Sequence, residues 1–136
     1  MFAHHSCHSP VDSYFFKATA YYAIVAGDFF HTSGNNSVTY ARATEVMNTK
    51  SPFDFRWSIR VSGGTWISIG IASKLKKKDT FIGDYDKNAI LFSPRGWTVS
   101  KGDQTIQTEI AKDKYGGEIH FRFQPKLKKF SLSLVC

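Results

Sequence analysis

The sequence predicts an all-β fold, an antiparallel β-sandwich, and three observations carry that prediction. First, Phe53, Phe55, Trp57, Ile59 and Val61 alternate with Asp54, Arg56, Ser58, Arg60 and Ser62, the period of two that marks a strand buried on one face. Second, seven or more short segments rich in aromatic and β-branched residues are separated by Gly, Asn and Asp turn signals. Third, no long stretch carries helical periodicity. A chain of 136 residues has room for one domain, and 42% hydrophobic with 15% aromatic residues supplies a core for it.

Taken in order, residues 1–12 are polar and His-rich with Pro10 among them, and read as a flexible leader before a single domain over residues 13–136. Residues 14–26 offer a helical face in Tyr14, Ala18, Tyr21 and Val25, but their aromatic content favours strand. Gly27-Asp28 and Ser33-Gly34-Asn35-Asn36-Ser37 supply turn chemistry on either side of residues 29–32. The phased segment from Phe53 runs into Gly63-Gly64 and then Ile67, Ile69 and Ile71, which reads as a hairpin with a firm register. Trp57 belongs to the core by its phase. Trp66 is out of phase with the three isoleucines and points to the opposite face.

A basic loop at residues 74–79 and a polar loop at 83–88 precede a short strand at 89–93 and another at 97–100. Residues 104–111 are weaker, with Ile106 and Ile110 at helical spacing. A second hairpin closes the chain: Ile119, Phe121 and Phe123 on one arm, a turn from Pro125 to Lys128, and Phe130, Leu132 and Leu134 on the other.

In this order the pieces resemble the SPRY domain, the core of the B30.2 family. Arg56-Trp57-Ser58-Ile59-Arg60-Val61 is similar to that family's Trp-bearing strand, and Trp66-Ile67-Ser68-Ile69-Gly70-Ile71-Ala72 to the Gly-containing strand after it. Ser37-Val38-Thr39-Tyr40-Ala41-Arg42-Ala43-Thr44 looks like the strand before the pair, while Gly96-Trp97 and Gly102-Asp103 fall at an aromatic strand and a polar loop. Gly117-Glu118-Ile119-His120-Phe121-Arg122-Phe123 through Lys129-Phe130-Ser131-Leu132-Ser133-Leu134 is similar to the late hairpin. The resemblance implies a concanavalin-like, jelly-roll sandwich that serves as a non-catalytic protein-interaction module, its rim loops binding a peptide or a protein surface. The family continues past this hairpin with further strands. This chain stops at Cys136, so an uncovered sheet edge is expected: either residues 14–30 supply the missing strands, or the chain is a fragment or a subunit completed by a partner, with self-association through the open edge as one form of that.

Large rigid side chains and arginine forks dominate binding hot spots, which selects Tyr85, Arg95, Trp97 and Tyr115 as candidate ligand-binding residues in the loops. The net charge of +7 is concentrated in Lys74, Lys76, Lys77 and Lys78 and in Lys126, Lys128 and Lys129. If one face gathers them, the alternative is a polyanion or nucleic-acid binder; otherwise they are solvated charges that keep strand edges apart. A lectin-like carbohydrate site is a further alternative on the same architecture. Arg56 and Arg60 share one side of their strand, and with His120 and Arg122 they form a positive strip if the two strands are neighbours.

No catalytic constellation emerges. Ser9 and Ser33 have His neighbours but no context for an oxyanion hole. His4, His5, Cys7 and His8 lack a second half-site for a metal, and Asp84, Asp86 and Asp103 read as turn chemistry in place of a cation site. No cofactor is expected. Asn35-Asn36-Ser37 matches a glycosylation sequon, yet two cysteines, Cys7 and Cys136, fit the reducing cytoplasm better than a secreted setting. No apolar run reaches the roughly 20 residues of a membrane span.

Overall fold

The computed structural model describes residues 11–30, 36–60, 67–75, 82–94, 96–108 and 118–135. Among them the chain forms β1 (Asp12–Phe15), β2 (Ala20–Phe30), β3 (Asn36–Asn48), β4 (Phe55–Arg60) and β5 (Ile67–Ala72). There follow a helical turn α1 (Ile82–Tyr85), β6 (Ile90–Ser93), β7 (Thr98–Lys101), β8 (Gln104–Gln107), β9 (Glu118–Gln124) and β10 (Lys129–Val135). The strands make two open antiparallel sheets, one of four strands in the order β1-β10-β9-β4 and one of six in the order β3-β2-β5-β6-β7-β8. The fold is all-β and consistent with a β-sandwich.

Alternation along the strands builds the core between the sheets. Phe121, Phe123, Phe130 and Leu132 from the four-stranded sheet join Tyr21, Ile69, Ile71, Phe92 and Val99 from the other in one buried cluster. Flat ring contacts fill its centre: Phe16 stacks on Phe123 with centroids 4.4 Å apart, and Trp57 on Phe121 at 5.4 Å. Trp57 is half-buried and packs against this cluster, as its phase requires. Its buried indole N–H has no hydrogen-bond partner among the described residues.

The six-stranded sheet is covered on its far face too, where Ile24, Ala26, Ala72 and Leu91 meet Ile82 of α1. That double coverage explains why nearly every position of β5 is buried. It also explains Gly70, since a Cβ there would fall onto the carbonyl oxygen of Ile90 in the neighbouring strand.

The terminal hairpin forms as its pattern predicts, with Lys129 opposite Gln124, Leu132 opposite Phe121 and Leu134 opposite Ile119. Its turn closes when the Lys128 N–H donates to the Pro125 carbonyl at 3.1 Å, which places Lys128 at φ 51. A side chain at positive φ is strained and glycine is not. Lys128→Gly is expected to raise stability by about 1 kcal/mol, read as a higher urea midpoint; an unchanged or lower midpoint would contradict the strain. The backbone bond from the Phe16 N–H to the Lys128 carbonyl at 3.0 Å survives that exchange.

Residues 14–26 are strand, interrupted at 16–19. β1 pairs with β10, Asp12 opposite Leu132 and Phe15 opposite Lys129, and so covers the edge that the terminal hairpin leaves. β1 begins at Asp12, one residue inside the segment read as a leader, while residues 1–10, with His4, His5, Cys7 and His8, lie outside the described residues.

The first expected hairpin is not a hairpin. β4 pairs with β9 in the four-stranded sheet, whereas β5 lies between β2 and β6 in the other. Period-two alternation states which face of a strand is buried but not which strand lies beside it. Val61, Gly63, Gly64 and Trp66 lie outside the described residues. Phe53, the first member of the alternating set, is 73% exposed. A turn after β3 diverts the chain there: the Ser51 N–H donates to the Asn48 carbonyl at 3.0 Å, and the Phe53 N–H donates to the Ser51 hydroxyl at 3.2 Å.

Residues 104–107 of the segment with helical spacing pair with β7, where Val99 lies opposite Ile106, while Ile110 lies outside the described residues. The two-residue loop Gly102-Asp103 joins these strands, with Gly102 at φ 60.

Candidate functional site

The four-stranded sheet turns Trp57, Phe121, Phe123, Phe130, Leu132 and Leu134 inward, which leaves a mostly polar outer face. Cross-strand register orders that face into rows. Ser13 lies opposite Ser131, Ser131 opposite Arg122, and Arg122 opposite Arg56, so one row crosses all four strands. In the next row Ser133 lies opposite His120 and His120 opposite Ser58. Arg60 and Glu118 follow at 3.4 Å, with Arg60 largely exposed.

These rows floor a shallow groove of about 460 Å³ lined by Val11, Ser13, Arg56, His120, Arg122, Lys129 and Ser131 among others. Arg56, Arg60, His120 and Arg122 share this face because β4 and β9 are neighbours, with Arg60 paired to Glu118 and Arg122 to Asp54.

The electrostatics of the groove are unbalanced. Arg122 donates from Nε at 3.1 Å and from Nη2 at 2.7 Å to one oxygen of Asp54. Among the described residues Arg56 has no ion pair. Like charges directly opposite one another across strands are destabilising, so Arg56 against Arg122 is an arrangement that an added anion would relieve. The Ser13 and Ser131 hydroxyls share a hydrogen bond of 3.0 Å. At the rim stand Val11, 59% exposed, and Phe15, 65% exposed, on the outer side of β1 by alternation with Ser13.

The candidate rim residues are not brought together. Trp97 is 7% exposed and belongs to the core, edge-on to Phe92 with centroids 5.7 Å apart. It sits at φ 53, and its carbonyl accepts from the Thr108 N–H at 3.1 Å, the Thr108 hydroxyl at 2.8 Å and the Gln107 amide at 3.0 Å. A signal for this was present in its phase with Val99, which is also buried. Tyr85 is half-buried at the end of α1 and packs on the far face of the six-stranded sheet. Arg95 and Tyr115 lie outside the described residues.

The lysine patches divide. Lys76, Lys77 and Lys78 lie outside the described residues and Lys74 is exposed. Lys129 lines the groove, and Lys126 and Lys128 are exposed on the turn beside it. Sequence reasoning missed the groove serines Ser13, Ser131 and Ser133, since only strand pairing gathers them.

Asp86 is fully buried. Its carboxylate accepts from the Ser73 N–H at 2.7 Å, the Ser73 hydroxyl at 2.8 Å, the Asn88 N–H at 3.0 Å and the Lys74 N–H at 3.1 Å. It is a clamp between the end of β5 and the α1–β6 connection, with its oxygens already engaged by donors. Among the described residues no three His, Cys, Asp or Glu side chains gather as metal ligands would, and no helix is long and apolar enough to cross a membrane.

A second cavity of about 370 Å³ is bordered by Lys17, Lys87, Lys101, Asn88 and Gln104 above Tyr21. Burial pushes the Tyr21 phenol up from its usual pKa, against the lowering effect of the Ala18 and Lys17 amides. Gly102 lets the β7–β8 turn reach Lys87, where a Cβ would meet the Lys87 carbonyl oxygen at 2.9 Å.

No protein-family model, curated protein or solved structure matches this chain.

Proposed function

We propose that this chain is a non-catalytic protein-interaction module, a SPRY-like sandwich of jelly-roll type, that binds an acidic segment of a partner protein on the outer face of its four-stranded sheet. The observation that carries this reading is the direct cross-strand pairing of Arg56 with Arg122 in the groove, where among the described residues Asp54 engages Arg122 and no ion pair forms on Arg56. Arginine forks recognise carboxylates in a bidentate way, and a face with a net positive charge draws an acidic segment to itself. Val11 and Phe15 add apolar contact at the rim. Binding through the rim loops finds less support, because Trp97 is in the core.

Arg56 is exposed, so its removal is expected to leave the fold intact. Arg56→Ala is expected to weaken binding of a glutamate-rich peptide about ten-fold, about 1.4 kcal/mol, in a fluorescence anisotropy titration. Unchanged affinity would overturn the site.

A second reading, a polyanion or nucleic-acid binder, is favoured by Lys126, Lys128 and Lys129, which continue the groove's charge along the same hairpin. Titrations of single-stranded RNA and heparin against rising salt separate the two. RNA or heparin binding tighter than the peptide at equal salt, with a steeper fall in affinity as salt rises than the peptide complex shows, would favour the polyanion.

A further inference from the structure

We infer that the Arg56–Arg122 pair seats a phosphomonoester dianion, carried on a phosphorylated serine or threonine of the partner's segment; this rests on the binding face proposed above. The charges on the face set the valence of the ligand. Among the described residues, the three cations that line the groove, Arg56, Arg122 and Lys129, have one paired carboxylate, Asp54 on Arg122, which leaves two positive charges uncompensated. A phosphorylated side chain brings about −1.5 to −2 at neutral pH together with three acceptor oxygens.

A carboxylate brings one charge, and Asp54 already occupies that role on Arg122 while leaving Arg56 unengaged. A phosphodiester or a sulfate ester also brings one. The geometry suits a tetrahedral dianion in a second way. Arg56 and Arg122 are directly opposite on adjacent strands, which lie roughly 4.8 Å apart, so two guanidinium forks reach one phosphate from either side. The Ser131 hydroxyl lies next in the same row and His120 in the adjoining one, and both supply polar atoms to the remaining oxygens.

Isothermal titration of the intact chain with three peptides of one sequence tests this, the central residue being phosphoserine, glutamate or serine. The phosphoserine peptide is expected to bind about ten-fold tighter than the glutamate peptide, and Arg56→Ala to erase that difference. Asp54→Asn removes the competing carboxylate from Arg122 and is expected to tighten phosphopeptide binding several-fold, a gain that damage to the fold would not produce. Equal affinity for the phosphoserine and glutamate peptides would overturn the phosphate seat while leaving the acidic-segment site standing. Absence of binding by both would overturn the two together. Tighter binding of a single-stranded RNA of the same net charge would overturn the phosphoserine source in favour of nucleic acid.

Discussion

Asp86→Ala is expected to lower stability by about 3 kcal/mol, because four donors lose a charged acceptor and hydrogen bonds to charged groups contribute about 1.5–3 kcal/mol each when well buried, a large share of typical domain stability. Three backbone N–H groups, those of Ser73, Lys74 and Asn88, lose their acceptor at once, together with the Ser73 hydroxyl. A fully buried donor left without a partner costs about 1–3 kcal/mol, and these part-buried ones less. The clamp also holds α1 against the far face of the six-stranded sheet, where Ile82 and Leu91 are buried. Urea unfolding followed by circular dichroism measures the effect. A midpoint equal to that of the unsubstituted chain would show that water replaces the carboxylate at no cost and would refute the clamp. Asp84→Ala, at the exposed neighbouring carboxylate of α1, is the control and is expected to change little.

Trp97→Ala is expected to cost about 3–5 kcal/mol, the usual range for truncating a buried aromatic. The indole fills space between Phe92 and the rest of the core, and the vacated volume is bounded by β6 and β7, which are paired through Phe92 opposite Val99. Alanine would keep the positive φ without the indole packing that offsets it. The experiment reads two quantities, the unfolding free energy and the affinity of the folded fraction for the glutamate-rich peptide. The first falls and the second stays unchanged, because Trp97 does not line the groove. Normal stability with lost affinity would instead return Trp97 to the binding surface and refute its place in the core.

The two predictions share a cause. At both positions a residue that the sequence places in a loop serves the interior, and its neighbours decide the role. Asp-x-Asp in a polar loop is turn chemistry by sequence; the structure keeps the turn and makes one carboxylate its buried acceptor. Gly96-Trp97 reads as an exposed aromatic after a glycine, but the chain turns at positive φ and swings the indole inward.

The sequence by itself determined the all-β class, the two strands of the terminal hairpin, and which side of each phased strand is apolar. These are local properties: alternation and turn chemistry act over a few residues, and β9 and β10 adjoin one another along the chain. It determined the charged side of β4 and β9 as well, but not that the two meet.

Only the tertiary structure decided that β4 leaves β5 for β9, a partner more than fifty residues away, and that β1 covers the edge of β10. A strand's period names its buried face but no neighbour; the neighbour is chosen when two apolar faces close on a common core. That choice sets Arg56 against Arg122, and with it the groove.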